Sequence, residues 1–280
     1  MSSVKKAFLL ASYNVRLAIT DIKFILIILA ITFIIHDYTK DIISFSIEYN
    51  CKISIWLFPL LFNQKYMRRI IYIGVLFIFC DAPLTNNNYY YFLLRSGKKV
   101  WITGQFLYIF FMSGLYYIII FLAGIITNCT HINFMHDINE WGAIFETLGS
   151  GYNIGYKTYT SNIIIKYFTP IQASWFTFIL NFFSASFIGL LTCYANMVIK
   201  EKTSGVFVST IIVLLDSLAP YYPKLIFFSP ATWSILECIQ ISKSSNLPSI
   251  NYVITAYSIL IIATIISAYI FYQREKTELN

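Results

Sequence analysis

The chain has 280 residues, of which 58% are hydrophobic and 12% charged, with a mean hydropathy of +0.68 and a net charge of +7. A soluble domain would have about 45–50% apolar and about 25% charged residues, so this composition excludes an ordinary soluble domain and indicates a membrane protein. The positive charge implies no nucleic-acid partner, because cytoplasmic Lys and Arg fix topology and meet anionic membrane lipids.

The first 23 residues predict an interfacial elbow helix and no cleaved signal peptide, because charged residues interrupt the apolar core that a signal peptide needs. Polar and apolar side chains fall on separate helical stripes. The polar stripe is Lys5, Ser12, Arg16, Thr20 and Lys23, and the apolar stripe is Val4, Phe8, Ala11, Val15, Ala18 and Ile22. The alternative is the first half of a long membrane helix.

We predict six membrane spans, since a crossing helix needs about 20 mainly apolar residues. They cover about residues 23–36, 70–83, 103–127, 173–198, 205–221 and 252–272. The first is short, and the fifth reaches spanning length only by continuing past Asp216. Ahead of the second span lies the apolar run Ile53–Phe62, which either crosses separately or precedes a single crossing as a surface segment.

The distribution of positive charge favours the single crossing. With one crossing, both chain termini and the loops at 81–101 and 200–205 lie on one side, and these segments hold more than half of the Lys and Arg residues. The positive-inside rule makes that side cytoplasmic. We therefore expect an all-α, multi-pass fold that forms one transmembrane domain over residues 1–280, with both termini in the cytoplasm.

Two predicted outer loops, 128–170 and 220–250, are longer than simple connections. The first is polar and glycine-containing, as expected for a surface element or a flexible flap. In the second, the apolar stretch Leu225–Ile241 could fold back into the membrane as a partial helix protected by protein. The outer side would also hold three cysteines, Cys51, Cys129 and Cys238, either as free thiols or with a disulfide between two of them.

No motif predicts catalysis, so we expect no enzyme activity, catalytic residue, cofactor or metal site in this chain. The glycines between Gly149 and Gly155 match neither a dinucleotide fingerprint nor a P-loop. The remaining candidates are histidines and close acidic pairs, which solvated charge explains: His36, His131, His136, Asp37 with Asp41, and Asp137 with Glu140. Asp81 and Asp216 lie nearest membrane depth, and we expect Asp81 to cap a turn and Asp216 to pair with an outer cation.

Several short motifs carry a family resemblance. Residues 95–101 read Arg-Ser-Gly-Lys-Lys-Val-Trp and lead through Gly104-Gln105 into a long span. Further motifs are Phe-Thr-Pro-Ile-Gln-Ala at 168–173, Gly-Leu-Leu at 189–191 and Ser-Pro-Ala-Thr-Trp at 229–233. In layout, most of the chain resembles the permeases of bacterial ABC-2-type transporters.

The resemblance implies a six-helix permease paired with a second permease, identical or different, and with separate ATP-binding cassette subunits that bind the ATP. In that family the inner loop between the second and third spans transmits nucleotide-driven motion. Carried over by position, the coupling segment would hold Arg95, Gly97, Lys98, Lys99 and Trp101, and residues 200–205 would form a smaller inner loop. The alternative is a turn that only sets topology.

The predicted function is therefore transport across the bacterial plasma membrane. Few charged residues lie in the spans, which favours an apolar or amphipathic cargo over small hydrophilic ions. The alternative is a non-transporting immunity or sensing protein that binds a ligand through its outer loops.

Overall fold

The computed structural model describes residues 2–48, 50, 53–85, 89–132, 141, 162–200, 203–219, 221–240 and 246–274. Its helices in chain order are α1 Ser3–Thr20, α2 Ile22–Glu48, α3 Phe58–Asn63, α4 Lys65–Phe79, α5 Tyr89–Ser96, α6 Lys98–Ile126, α7 Asn162–Tyr167, α8 Pro170–Ile199, α9 Ser204–Leu218 and α10 Ile250–Arg274. The prediction of an all-helical fold is confirmed for this part of the chain.

Four helices are long and apolar enough to cross a membrane, namely α2, α6, α8 and α10. They confirm the membrane-protein class that composition predicts. The two remaining predicted spans coincide with α4 and α9, which have 15 residues each. Such helices are about 22 Å long, shorter than the hydrocarbon layer of about 30 Å.

The helices of the bundle alternate in direction between two ends. At one end, Lys23 at the start of α2 pairs with Asp81 just after α4, at 2.6 Å. At the other end, Arg68 near the start of α4 pairs with Asp216 near the end of α9, at 2.8 Å. We call these the Asp81 end and the Asp216 end.

The Asp81 end also gathers the ends of the longer helices. Trp101 at the start of α6 stacks on Tyr272 at the end of α10, with ring centroids 5.1 Å apart. Asn196 near the end of α8 donates a hydrogen bond to the Ala82 carbonyl just after α4. Helices α2, α6 and α9 therefore run from the Asp81 end to the Asp216 end, and α4, α8 and α10 run back.

The first predicted span, 23–36, is too short. Helix α2 continues to Glu48, so Asp37 and Asp41 lie on a helix and not in a loop. The added turns keep Tyr38 and Ile42 buried, while Lys40 pairs with Asp37 at 2.9 Å on the exposed face. A charged face exposed to water and an apolar face packed on protein stabilise this extension together.

The second predicted span, 70–83, lies on the second part of a helix that is broken at Gln64 into α3 and α4. In α3, Phe58 contacts Phe121 of α6 and Phe62 contacts Tyr117, so α3 runs antiparallel to α6. Helix α4 runs the same way: Tyr116 donates to the Ile71 carbonyl at 2.7 Å, and the Phe79 ring lies against Tyr108. The chain does not reverse between α3 and α4, which favours the single crossing over two short ones.

The predicted outer loop 220–250 contains a segment that returns to the bundle. Three short 3₁₀-helices, Pro223–Phe228, Thr232–Ser234 and Leu236–Cys238, follow one another there. Ser234 Oγ accepts a hydrogen bond from Tyr72 of α4 at 2.8 Å, and the same hydroxyl of Tyr72 bonds Ser184 in the middle of α8. This segment therefore folds into the protein interior, as 3₁₀ turns where a partial helix was expected.

Helix α1 packs lengthwise on the first half of α6. Its buried face is formed by Ala7, Leu10, Ala11 and Asn14. Gly104 of α6 makes room for Leu10, because a Cβ there would lie 2.6 Å from a Leu10 methyl carbon. The buried face differs from the predicted apolar stripe, since Val4 and Phe8 are exposed.

Candidate functional sites at the two ends of the bundle

The predicted coupling segment forms a short basic turn between α5 and α6, at the Asp81 end. Arg95, Gly97 and Lys99 are exposed, and Lys98 is half-buried. Gly97 has φ +81°, a conformation that favours glycine, and it lets the chain end α5 and begin α6 within one residue. We call Arg95–Lys99 the basic turn.

Two aromatic contacts hold the basic turn in place. The Arg95 guanidinium donates to the Tyr91 hydroxyl at 2.7 Å and lies 5.9 Å from the centre of that ring. Trp101 is 2% exposed and stacks on Tyr272, so it faces the bundle and not a partner. Of the predicted coupling residues, Arg95, Gly97 and Lys99 are thus exposed, Lys98 is half-buried and Trp101 is buried.

The chain just after α4 is tied to α8 by one amide. Asn196 Nδ2 donates to the carbonyls of Cys80 at 3.0 Å and Ala82 at 2.6 Å. Its Oδ1 accepts from the Gly205 backbone N–H at 2.7 Å, which adds the start of α9. One side chain therefore joins α4, α8 and α9 where all three meet.

Two more contacts tie residues 81–84 to α2 and α6. Gln105 accepts from the Leu84 N–H at 3.1 Å and donates to the Leu84 carbonyl at 3.4 Å. Asp81 pairs with Lys23 instead of capping a turn, through side chains that are 40% and 57% exposed. We call the contacts of Asn196, Gln105 and the Lys23–Asp81 pair the basal junction.

At the Asp216 end lies a buried ion pair. Arg68 donates from Nε and Nη2 to both carboxylate oxygens of Asp216, at 2.8–3.2 Å, and each side chain is 5% exposed. Thr232 donates to the same carboxylate at 3.3 Å, and Arg68 Nη1 donates to the Phe62 carbonyl at 3.0 Å. The expectation that Asp216 pairs with a cation is confirmed.

The sequence alone does not identify Arg68 as the cation that pairs with Asp216. Arg68 belongs to the polar stretch 63–69 between two apolar runs, and the sequence pattern does not predict that it is buried. Its partner lies 148 residues away, so proximity along the chain gives no signal. The available signal is that Arg68 and Asp216 both adjoin apolar runs, where an unpaired charge would be costly.

A cavity of about 550 Å³, with both charged and apolar side chains in its wall, adjoins this ion pair. It lies between the start of α4, the end of α9 and the 3₁₀ segment. Its wall includes both members of the pair together with Lys65, Arg69 and Glu237. Charged groups from three separate parts of the chain therefore face one space.

The other sequence candidates form no site among the described residues. Cys129 and Cys238 are free thiols, so no disulfide joins them. His131 contributes its backbone carbonyl, which accepts from Ile53 at 2.8 Å. Within the described ranges, no group of three His, Cys, Asp or Glu side chains could hold a metal ion. Outside the described residues lie Cys51, His136, Asp137, Glu140 and the glycines from Gly149 to Gly155.

Comparison with protein-family models, with curated proteins and with solved structures found no match to this chain. The resemblance to ABC-2-type permeases therefore remains a prediction that depends on the short motifs.

Proposed function

We propose that this chain is the membrane permease subunit of an ABC-2-type transporter, powered by separate ATP-binding subunits. In this proposal α2, α3 with α4, α6, α8, α9 and α10 make six crossings, and α1 is the interfacial elbow. The Asp81 end is cytoplasmic. Helix α4 alone is too short for the second crossing. Helices α3 and α4 run in the same direction and together cover Phe58 to Phe79, which is long enough to cross.

The observation that carries the proposal is the basic turn on its anchored base. Exposed Arg95 and Lys99 can bind an acidic cleft on a soluble partner. Behind them, the basal junction connects the same loop to α2, α6 and α8. A displacement of the turn would therefore move several bundle helices at once, which a coupling element requires.

The interior supports an uncharged or amphipathic cargo. Among the described residues, the buried charged side chains are Arg68 and Asp216, which neutralise each other. The other buried polar groups are hydroxyls and amides, such as Tyr72, Ser184 and Asn181. Such an interior provides hydrogen bonds but no charge relay for small ions. A second permease subunit, identical or different, would complete the path.

Co-purification tests the proposal. The tagged chain would be expressed in its native host and extracted in mild detergent, and its partners identified by mass spectrometry. We expect a stoichiometric soluble ATPase, which the double variant Arg95→Glu and Lys99→Glu loses.

The matched control is Lys5→Glu with Arg16→Glu, which reverses two exposed charges on α1 and should retain the ATPase. An ATPase-free preparation of the wild-type chain would overturn the proposal and favour an immunity or sensing protein. If both double variants recovered equal amounts of the ATPase, the basic turn would not be the segment that binds it.

A further inference from the structure

We propose that the cavity at the Asp216 end binds a phosphate-type anion. This inference rests on the groups that face the cavity and stands independently of the proposed transport function. Four observations support it: the charge balance of the wall, a buried donor without a partner, a helix N-terminus that has no side-chain capping hydrogen bond, and the size of the space.

The charge balance of the wall is positive. Among the described residues of the wall, Arg68 and Asp216 cancel each other through their hydrogen bonds, and the other charged side chains are Lys65, Arg69 and Glu237. Lys65 is exposed at the mouth of the cavity, and Arg69 is half-buried with its Nε lacking a hydrogen-bond partner. Two cations against one carboxylate favour an anion over a cation in this space.

Asn63 adds a donor that the protein does not satisfy. Its side chain lines the cavity, the residue is 6% exposed, and Nδ2 has no hydrogen-bond partner. A buried amide donor without a partner costs about 1–3 kcal/mol, so a ligand that accepts this hydrogen bond would recover the loss. An anionic oxygen is the acceptor that also suits Lys65 and Arg69.

Helix α4 begins at the same place. Its N-cap residue, Gln64, makes no side-chain capping hydrogen bond, and Gln64, Lys65 and Tyr66 all line the cavity. The first backbone N–H groups of a helix have no partner within the helix, and its dipole favours negative charge there. Backbone donors, an amide and two cations around one space are the usual components of a phosphate site.

The cavity has room for more than a bare ion. Its volume of about 550 Å³ lies within the range of small-molecule sites, about 300–1,000 Å³. Ile226 and Ile235 add apolar wall, and the exposed rings of Tyr66 and Tyr221 lie at the mouth. The same chemistry could therefore come from the headgroup of an anionic phospholipid or from free phosphate.

Binding to the full-length protein in detergent tests the inference. Native mass spectrometry and thermal-shift measurements would use inorganic phosphate in one arm and short-chain phosphatidylglycerol in the other, with phosphatidylcholine as the zwitterionic reference. Stabilisation by phosphatidylglycerol alone would identify a lipid headgroup as the source, and stabilisation by phosphate would identify the free anion. A protein that responds to neither, or equally to phosphatidylcholine, would overturn the inference.

Variants assign the response to this cavity. Lys65→Gln with Arg69→Gln should weaken binding at least about tenfold, the effect of losing one charge-assisted hydrogen bond or more. The matched control, Lys5→Gln with Arg16→Gln, removes two exposed cations of α1, which does not line the cavity, and should bind as the wild type does.

A gain-of-affinity variant keeps the test decisive if the loss variant folds poorly. Glu237→Gln removes one negative charge from the wall of the cavity, so anion affinity should rise about threefold to tenfold. Unchanged affinity in both Glu237→Gln and the Lys65/Arg69 variant would place the anion elsewhere and contradict the proposal.

Discussion

Asn196 shows how one side chain can set the geometry of the Asp81 end. Its amide donates to two carbonyls after α4 and accepts from the first turn of α9, so three backbone groups depend on it. The hydrogen bonds to the Ala82 carbonyl and the Gly205 N–H are buried, and the one to the Cys80 carbonyl is partly buried. Buried backbone groups that lose their partner destabilise the folded state more than the hydrogen bond itself contributed.

Replacing Asn196 with Ala should therefore lower the free energy of unfolding by about 1–3 kcal/mol for each backbone group left unpaired. The expected result is a marked drop in the thermal unfolding temperature of the purified protein in detergent. Asn251→Ala is the matched control, because Asn251 is exposed at the start of α10. Equal unfolding temperatures for the two variants would show that Asn196 does not hold the basal junction together.

The Arg68–Asp216 pair predicts a non-additive pattern. Arg68→Met or Asp216→Leu alone leaves one buried charge uncompensated and should destabilise the protein by about 3–5 kcal/mol. The double variant removes both charges and should be much closer to the wild type. Thermal unfolding of the four proteins gives the coupling energy.

The exposed Lys23–Asp81 pair provides the reference for this comparison of four proteins. Lys23→Met should lower the free energy of unfolding by at most about 1 kcal/mol. Additive effects of the Arg68 and Asp216 substitutions would mean that the two side chains do not compensate each other in the folded protein.

At residue scale, the sequence points to one residue of a contact but does not identify the residue that it contacts. Asp216 stood out as an acid near membrane depth, and Gln105 stood in a motif entering a long span. Their partners, Arg68 and Leu84, could not be identified, because the contacts join residues that are distant in sequence or involve backbone atoms. Asn196 gave no signal, since an Asn in an apolar helix reveals nothing about which carbonyls lie beside it.

At the scale of elements, the α8–α9 pair depends on a glycine. A Cβ on Gly205 would collide with the Thr192 carbonyl oxygen and lie 2.6 Å from Asn196 Oδ1. Because the carbonyl is backbone, it cannot rotate away, so the two helices would have to separate. The start of α9 thus approaches α8 as closely as it does because residue 205 has no side chain.

Gly205→Ala should therefore destabilise the protein clearly, although alanine is the better helix former by about 1 kcal/mol. Gly114→Ala is the matched control, since a Cβ there would meet Phe182 at an ordinary 3.7 Å. We expect the Gly114 variant to unfold at or above the wild-type temperature and the Gly205 variant well below it. Similar unfolding temperatures for the two would contradict a close α8–α9 contact at Gly205.

The sequence predicts the position of a helix well where a long apolar run alone determines it. Helices α6, α8 and α10 follow long apolar runs, and the sequence located them within a few residues. The length of α2 could not be predicted, because its last turns are amphipathic and depend on packing against the bundle. The 3₁₀ segment was anticipated as a return into the protein, but its turns depend on tertiary hydrogen bonds such as that of Ser234.

At the scale of the whole molecule, both proposals depend on which side of the membrane each end occupies. The basic turn can meet a soluble ATPase only if the Asp81 end is cytoplasmic, and then the anion cavity at the Asp216 end is external. The alternating directions of the bundle helices place these two sites at opposite ends. Two separate crossings by Ile53–Phe62 and α4 would instead put the basic turn outside.

Site-directed cysteine labelling in intact cells tests this arrangement most directly. Single cysteines would be placed at exposed positions: Lys99→Cys and Thr203→Cys at the Asp81 end, and Tyr221→Cys with the native Cys129 at the Asp216 end. We predict that a membrane-impermeant maleimide labels Cys129 and the Tyr221 variant in intact cells, and the Lys99 and Thr203 variants only after permeabilisation. Labelling of the Lys99 and Thr203 variants in intact cells would contradict the cytoplasmic Asp81 end and the coupling role of the basic turn.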